Sequence, residues 1–496
     1  MKRLFLLITA ASLIVSSHAQ SASEVMQQMA ESELLNTSLF GVYARTSDGQ
    51  VLLERNSRTK MQPASNMKLI TTGCALTRLG PDFRFETRLA HSGTVKNGVL
   101  KGDLYIVGGG DPTLGAPDSI ATPKNELFET WKKILSDAGI LRIAGRIIGD
   151  GRFLPGEDGR NSWSFSEYGG NYSTGMNGLC FRKNAIKFKI SPTEEGSALD
   201  AEMLEPVLPW LPVDVLAKTG KNGSRRAVYA YANDMAPAIQ IRGGIPVGGK
   251  PVNASFANKY GAMTAAAEFC SYLVSRGVKV KGGFADIDRH GLVRDASFKT
   301  HEPAAAQSGL TIIGSTYSPV LSRIARETNH RSDNFYAEAL LRALAVRGGE
   351  DSYRKGWAEE RAILSGLGVD VNNRIRIDDG SGVSKLNYVS PEFFVDYLQA
   401  MQTSPSYGAF LASLPSPGSN GTMKPLLKDE PAELKARIKL KSGGIAGVCC
   451  YSGYIFPAEE GGKTVYFSIM TGNSTSARSA VRVEIMKLIA ALAHEN

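Results

Sequence analysis

Cysteine and histidine are both scarce in this chain. Five cysteines and six histidines among 496 residues are too few for a disulfide-built scaffold. The histidines are scattered without the spacing of a zinc site, so we expect no metal and no other cofactor. We expect mostly buried free thiols, although one bridge, Cys180 to Cys270, stays open. Adjacent Cys449 and Cys450 should face opposite sides of a strand.

Long apolar runs are missing after the first twenty residues. Residues 1–19, MKRLFLLITAASLIVSSHA, have a charged start, a short apolar core and a small-x-small end at Ser17-His18-Ala19. This layout is typical of a secretory signal cleaved near Ala19, and its apolar core is too short for a confident membrane span. The sequence predicts export to the periplasm, with at most peripheral membrane contact.

Basic tracts are also absent, although the formal net charge is +9. Lysine and arginine are spread along the chain, and export removes nucleic acid as the usual partner. An anionic polymer of the cell envelope fits the charge better. A mildly basic solvated surface explains the charge equally well, so both interpretations stay open.

The order of secondary-structure signals favours one interrupted domain. Residues 38–56 predict a hairpin around Asp48-Gly49, and 318–349 predict two helices with a short break. Two strands and an amphipathic helix close the chain. The middle is strand-rich, with helices near 124–139 and 259–276. The pattern indicates an α/β domain with an insertion of about 200 residues.

The segment QPASNMKLIT places a serine three residues before a lysine. Apolar residues at helical spacing follow it, so Ser65 and Lys68 should project from one face of a first helical turn. That geometry suits a nucleophile beside its base, but an ordinary helix start with a solvated lysine is commoner. Ser57 and Lys60 have the same spacing in a polar stretch that predicts a loop.

A second candidate motif is Ser332-Asp333-Asn334, at the predicted break between two helices. A loop there can direct Ser332 and Asn334 into a cleft. The same residues also suit a helix cap, because serine and aspartate are good N-cap residues. Taken alone, the segment favours the cap.

The third candidate motif is a lysine followed by a hydroxyl residue and glycine. Lys218-Thr219-Gly220 precedes Ser332 and predicts an exposed hairpin turn. Lys441-Ser442-Gly443-Gly444 instead continues an alternating pattern that predicts a half-buried strand. The glycines would let substrate backbone approach that strand, although a plain Gly-rich turn would explain the segment alone.

In this order the three motifs, S-x-x-K, S-x-N and K-[ST]-G, match those of penicillin-interacting serine enzymes. The sequence resembles the class C low-molecular-mass penicillin-binding proteins, the D-alanyl-D-alanine carboxypeptidases and endopeptidases of peptidase family S13. Beyond the motifs, the resemblance includes segments 102–114, 147–154, 377–387 and 414–423.

The resemblance implies a multi-domain α/β fold, in which a penicillin-recognising catalytic domain is interrupted by two nested β-rich domains. The expected division is a catalytic domain at 20–90 and 300–496, a second domain at 91–185 and 246–299, and a third at 186–245. The implied partners are peptidoglycan stem peptides and β-lactam antibiotics, and the oligomeric state is not predicted.

Three positions depart from the usual family pattern. Ser442 stands in place of threonine, and Asn420 stands where aspartate is common. Glu167, in NSWSFSEYGG, loosely matches an acidic residue that contacts the peptide substrate in the family. The resemblance therefore implies a substrate-binding role for Glu167 on the weakest alignment of the set.

The implied chemistry is acyl transfer to Ser65. Lys68, with its pKa depressed by Lys441 and partial burial, would be the base, and Ser332 would relay a proton to the leaving amine. Asn334 would hold the peptide amide, while Lys441 and Ser442 would bind the terminal carboxylate. The backbone N–H groups of Ser65 and Gly444 would form the oxyanion hole.

Other functions remain open at this stage. The alternatives are a β-lactamase, a catalytically inactive peptidoglycan-binding protein and, least favoured, a basic nucleic-acid binder. The sequence does not separate carboxypeptidase from endopeptidase activity, because both cleave after a D-alanine.

Overall fold

A computed structural model describes residues 20–154, 157–233, 236–287, 309–345 and 352–496. The predicted signal segment, residues 1–19, lies outside these ranges, as does the end of the predicted helical segment 318–349. In the part of the chain described, no helix combines the length and apolar character needed to cross a bilayer.

Two of the helices, Lys124–Asp137 and Gly261–Ser275, lie within the stretches 124–139 and 259–276 that the sequence predicts as helical. In chain order the helices are α1 (Ala22–Glu31), α2 (Met67–Leu79), α3 (Lys124–Asp137), α4 (Gly261–Ser275), α5 (Leu321–Arg331), α6 (Asn334–Ala343), α7 (Ser352–Gly366), α8 (Pro391–Met401), α9 (Tyr407–Ser413), α10 (Ala432–Arg437) and α11 (Arg478–Glu495).

The strands fall into a terminal group and a middle group. In chain order they are β1 (Leu39–Thr46), β2 (Val51–Arg55), β3 (Glu86–His91), β4 (Thr94–Lys96), β5 (Val99–Lys101), β6 (Leu104–Val107), β7 (Arg142–Ile143), β8 (Ile147–Asp150), β9 (Ala185–Ser191), β10 (Asp200–Glu205), β11 (Val213–Val215), β12 (Lys218–Gly220), β13 (Ala227–Asn233), β14 (Ala236–Pro246), β15 (Val252–Ala257), β16 (Phe284–Asp286), β17 (Thr311–Tyr317), β18 (Ile375–Arg376), β19 (Tyr388–Val389), β20 (Ile438–Ile445), β21 (Val448–Ile455) and β22 (Val465–Gly472).

One five-stranded sheet, which we call the terminal sheet, joins the two ends of the chain. Its order is β2-β1-β22-β21-β20, and β1 pairs antiparallel with β22 from Leu39 opposite Gly472 to Thr46 opposite Val465. Alternation along β1 directs Val42 into a core with α1 and α11, and Tyr43 into a core with α2, α5, α6 and α8. The result is a sheet between two helical layers.

The chain between α2 and α5 forms the middle group of sheets. A second five-stranded sheet has the order β16-β8-β6-β3-β17. The smaller sheets are one formed by β4, β5 and β7, one formed by β9, β10 and β15, and one formed by β11, β12, β13 and β14. They surround apolar cores separate from those of the terminal sheet. β3 and β17 lie almost wholly within the predicted catalytic ranges that end at 90 and begin at 300, yet they join this second sheet with β6, β8 and β16, and those boundaries stay predictions.

All five cysteines are buried and unbridged, so the bridge left open between Cys180 and Cys270 is not formed. Cys449 packs in the core with α1 and α11, whereas Cys450 packs in the core on the other face of the sheet. The prediction of free, buried thiols on opposite faces is confirmed.

Two segments match the first and third motifs in sequence but lie away from the other motif residues. Ser57 and Lys60 occupy a loop after β2, as predicted. Lys218 is exposed, as predicted. The hairpin turn predicted over residues 218–223 is wrong for its first half, because Lys218–Gly220 is the short strand β12, parallel to β14, and the turn lies at Asn222 and Gly223. A backbone pairing partner supplied by distant β14 overrides the local turn signal.

Candidate active site

Ser65 lies in a single 3₁₀ turn, Ala64–Asn66, that runs directly into α2. Residues three apart face the same side of a helical turn, so Lys68 points back at the serine. Its Nζ donates a hydrogen bond to Ser65 Oγ at 2.9 Å. The predicted contact between Ser65 and Lys68 is therefore confirmed.

Lys68 is wholly buried, where the sequence suggested partial burial. Besides Ser65 Oγ, its Nζ donates to Asn334 Oδ1 at 2.7 Å and to the Ser381 carbonyl at 2.6 Å. All three acceptors are neutral.

Burial lowers the pKa of Lys68 to about 8, against the opposing pull of carboxylates that include Asp379 and Glu338. Of the two causes that the sequence predicts, burial is the one that lowers the pKa of Lys68, and repulsion by Lys441 is not among its causes.

The second motif forms the junction of α5 and α6. Ser332 ends α5 in a left-handed conformation with φ of 57°, and Asp333 caps α6 by accepting from the Tyr336 N–H at 2.9 Å. Asn334, the first residue of α6, also donates from Nδ2 to the Tyr172 carbonyl at 2.9 Å. Both interpretations hold, since Asp333 forms the cap while Ser332 and Asn334 contact the motif lysines.

The third motif lies on β20, the edge strand of the terminal sheet. Lys441 is wholly buried, so the predicted half-buried strand is wrong at this position. Its Nζ donates to Ser332 Oγ at 2.9 Å and to the Ser442 carbonyl at 2.8 Å. Burial, and then the nearby charge of Lys68, lower the pKa of Lys441 well below its usual range. The like-charge repulsion expected at Lys68 thus acts on Lys441.

Gly443 and Gly444 let β20 pack closely against neighbouring segments of the protein. A Cβ on Gly443 would lie 2.5 Å from the Pro63 carbonyl oxygen, and one on Gly444 would lie 2.9 Å from Arg478 Nη1. The glycine at 443 is needed to pack the strand against the turn that carries Ser65. Sequence reasoning assigned both glycines to substrate approach, and Gly444 also to the oxyanion hole, but neither of them to packing within the protein.

A loop behind Lys68 received no role from sequence reasoning, although its letters, IDDGSGVSKLN, carried the resemblance. The N–H groups of Gly380 and Ser381 donate to Glu338 on α6, at 3.3 and 2.8 Å, which aims the Ser381 carbonyl at Lys68. Burial, and then the charge of Asp379, raise the pKa of Glu338. Gly382, at φ of 84°, packs so closely that a Cβ would lie 1.8 Å from the Ala64 carbonyl.

Glu167 lies outside this cluster of contacts. Its carboxylate accepts from the Ser164 N–H at 3.1 Å, and its carbonyl accepts from Ser173 Oγ. The same segment reaches the site through Tyr172, whose carbonyl accepts from Asn334. The structure thus places Glu167 beside the site but brings it into no contact with the three motifs.

Lys183, which sequence reasoning missed, joins the middle group of sheets to the second motif. Its Nζ pairs with Asp118 at 3.0 Å and with Asp333. Arg182, Lys183 and Asn184 all have positive φ angles, from 50° to 56°, an uncommon run for residues with a Cβ. No local sequence signal marks this ion pair, because its partners are 65 and 150 residues away.

Among the described residues, no group of three histidine, cysteine, aspartate or glutamate side chains could hold a metal ion. The arrangement of the three motifs instead offers a hydroxyl beside one buried amine and a second hydroxyl beside another. Such a pair of hydroxyl–amine contacts is suited to moving protons during an acyl transfer.

Comparison with known proteins agrees with this arrangement. The model of the D-Ala-D-Ala carboxypeptidase 3 (S13) family matches residues 22–494. A D-alanyl-D-alanine carboxypeptidase of Actinomadura sp. (strain R39) is 29% identical over 455 residues, covering 89% of this chain and 79% of that protein. D-alanyl-D-alanine carboxypeptidase DacB of Haemophilus influenzae is 24% identical over 440 residues, covering 86% of this chain and 84% of its own.

The fold is also that of a solved relative. Penicillin binding protein 4 of Haemophilus influenzae superposes with a TM-score of 0.77 at 20% identity, covering 95% of this chain and 98% of that one. The predicted fold class, a multi-domain α/β penicillin-binding fold, is confirmed. The chain belongs to the D-Ala-D-Ala carboxypeptidase 3 (S13) family, a family of serine peptidases, as its motifs predict.

Proposed function

We propose that this chain is a serine D,D-peptidase that acts on peptidoglycan stem peptides through an acyl-enzyme on Ser65. It hydrolyses D-alanyl-D-alanine bonds, or the cross-links between D-alanine and a diamino acid. Ser65 Oγ bonds to the carbonyl carbon of the first D-alanine, and the C–N bond to the leaving residue breaks. The serine proton passes to the leaving amine. Water then attacks the ester, releases the peptide acid and restores the serine. The same attack on a β-lactam ring leaves a penicilloyl ester on Ser65.

The hydrogen bonds of Lys68 carry this proposal. A neutral amine has two N–H donors and one lone pair. The Asn334 and Ser381 oxygens can take both donors, which leaves the lone pair facing Ser65 Oγ, 2.9 Å away. A buried lysine with neutral acceptors and a pKa of about 8 is thus prepared to accept the serine proton.

The other motif residues have roles that follow from their contacts. Ser332, held by Lys441, would hand the proton to the leaving amine. Lys441 and Ser442 would bind the substrate carboxylate, and Asn334 would hold its amide. Backbone N–H groups of Ser65 and Gly444 would stabilise the oxyanion, a contribution of roughly 3–4 kcal/mol per donor in other enzymes.

Two finer assignments belong to the same proposal. Glu167, whose charge acts on neighbouring Tyr172 beside Asn334, is a candidate contact for the stem peptide. The substrate is periplasmic, which fits the predicted signal at residues 1–19 and would place the mature chain with the cell wall.

Intact-mass spectrometry with benzylpenicillin tests the proposal. We expect one covalent adduct, mapped to the peptide that contains Ser65, and release of D-alanine from a D-Ala-D-Ala peptide. Ser65→Ala should lose both, whereas Ser57→Ala, in the imitating loop, should keep both. No adduct would favour an inactive binding protein, and rapid turnover of a chromogenic cephalosporin would favour a β-lactamase.

A further inference from the structure

A cavity of about 350 Å³ lies along α5, the helix that leads into the second motif. One wall is α5, which contributes Arg323, Arg326, His330 and Arg331, and another is the loop at Asn420 and Gly421. We call it the arginine cavity. Its volume lies within the range of small-molecule sites in proteins.

The cavity lining reaches the start of the second motif, because Arg331 lines the cavity and directly precedes Ser332 in the chain. The loop wall is fixed to α5, since the Thr422 N–H donates to the His330 carbonyl at 3.2 Å. The loop also packs tightly there, because a Cβ on Gly421 would lie 2.3 Å from the same carbonyl oxygen. The cavity therefore has a fixed wall, and its lining residue Arg331 is next in the chain to Ser332, the hydroxyl that would meet the leaving amine.

The lining of the arginine cavity is strongly cationic. It carries three arginines and one carboxylate, Glu327, which is paired with Arg331. Within the described ranges, Arg323 and Arg326 have no ion-pair partner. Burial, and then the charges of Arg326, Lys439 and Lys441, lower the pKa of His330 to about 4. His330 is thus neutral at pH 7, and the excess positive charge comes from the arginines.

We propose that the arginine cavity binds carboxylate groups of the second stem peptide in a cross-linked substrate. This inference rests on the proposed function and deepens it by assigning a binding site to the leaving side of a cross-linked substrate. If Ser332 protonates the leaving amine, the group attached to that amine extends from Ser332, whose neighbour in the chain, Arg331, lines the cavity. The charge of Lys441 also acts on His330 in the same lining. A guanidinium matches a carboxylate with two parallel hydrogen bonds, so arginine suits a peptide rich in carboxylates.

The experiment compares two substrates on the same variants. One is an N-acylated D-Ala-D-Ala peptide, and the other is a purified cross-linked muropeptide dimer. The variants are Arg323→Gln with Arg326→Gln, which keep polar side chains but remove charge, and Asn420→Asp, which adds a negative charge to the opposite wall. Arg225→Gln, on an exposed loop of the middle sheets, is the matched control.

For the double variant we expect kcat/KM on the dimer to fall roughly three- to tenfold, because two solvent-exposed ion pairs with the substrate would be lost and such pairs contribute little individually. Asn420→Asp should lower it in the same direction. The short peptide should be cleaved at the wild-type rate by every variant. Raising the salt concentration should also slow wild-type cleavage of the dimer more than that of the peptide, because salt screens exposed charges.

Equal losses on both substrates, or no loss on the dimer, would overturn the inference. So would a wild-type chain that cleaves the peptide but leaves the dimer intact. Failure to cleave either substrate, together with no penicillin adduct, would instead overturn the proposed function on which the inference rests.

Discussion

Replacing Lys441 by methionine removes one buried amine while keeping an unbranched side chain of similar length. The amine donates to Ser332 Oγ and to the Ser442 carbonyl, and it lies where we propose that the substrate carboxylate binds. Lys218→Met is the matched control, because Lys218 has the same local motif but is exposed on β12.

The expected loss follows from the two interactions that depend on the amine. A hydrogen bond to a charged group is worth about 1.5–3 kcal/mol. Losing one such bond to the substrate and one to Ser332 removes about 3–6 kcal/mol, and about 1.4 kcal/mol corresponds to tenfold in rate. We therefore expect kcat/KM to fall roughly 10²- to 10⁴-fold in Lys441→Met.

Stability should change much less than activity. Methionine relieves the desolvation that depresses the pKa of Lys441, while the Ser332 and Ser442 oxygens lose a donor, so the two effects oppose each other. At exposed Lys218, substitution should alter stability by less than about 0.5 kcal/mol and leave activity unchanged.

The assay measures kcat/KM on a D-Ala-D-Ala peptide and the melting temperature of both variants. An active Lys441→Met beside an inactive Lys218→Met, with both proteins folded, would refute the reasoning. It would mean that motif order and burial do not identify which lysine binds the substrate carboxylate.

Three further outcomes are expected. The rate of penicillin acylation should rise with pH and level off above about 8, because the neutral form of Lys68 is the base and its fraction grows as pH passes its pKa; a flat profile from pH 6 to 9 would contradict this. Gly382→Ala should lose at least about 2 kcal/mol of stability in chemical denaturation, since its left-handed φ and the Ala64 carbonyl both oppose a Cβ. Gly196→Ala, with a similar φ of 83° but nothing within 4 Å, should lose less, and equal losses would argue against the overlap. Ser442→Thr should keep peptidase activity within about threefold, because the hydroxyl is retained; a large loss would show that the strand has no room for the extra methyl group.

The parts of the site that sequence reasoning found are those with local periodic signals. Ser65 and Lys68 share a turn because helical spacing requires it, and Lys441 follows an alternating strand pattern. The break at Ser332 was visible because two helical stretches flank a polar pair of residues. Motif order then linked three segments that are far apart in the chain.

The remaining parts depend on contacts between distant segments. Burial of Lys441 comes from packing against α5 and the 3₁₀ turn, and the alternating pattern of β20 cannot report that. The loop at Ser381 and its support by Glu338 join residues 43 apart, so neither segment signals the contact alone. The full burial of Lys68, where the sequence predicted only partial burial, depends on contacts of the same kind.

The ion pair of Lys183 with Asp333 has a practical consequence for anyone who wishes to shorten this protein. The chain between α2 and α5 is not a removable module, because it supplies the counter-ion for the central residue of the second motif and the carbonyl that holds Asn334. Excising that segment would leave Asp333 without its cation and Asn334 Nδ2 without its acceptor, so that Lys68 alone would hold the Asn334 amide. A minimal enzyme built from the terminal sheet and its helices would therefore need a replacement cation and a replacement acceptor, engineered together, before its cleft had the original shape.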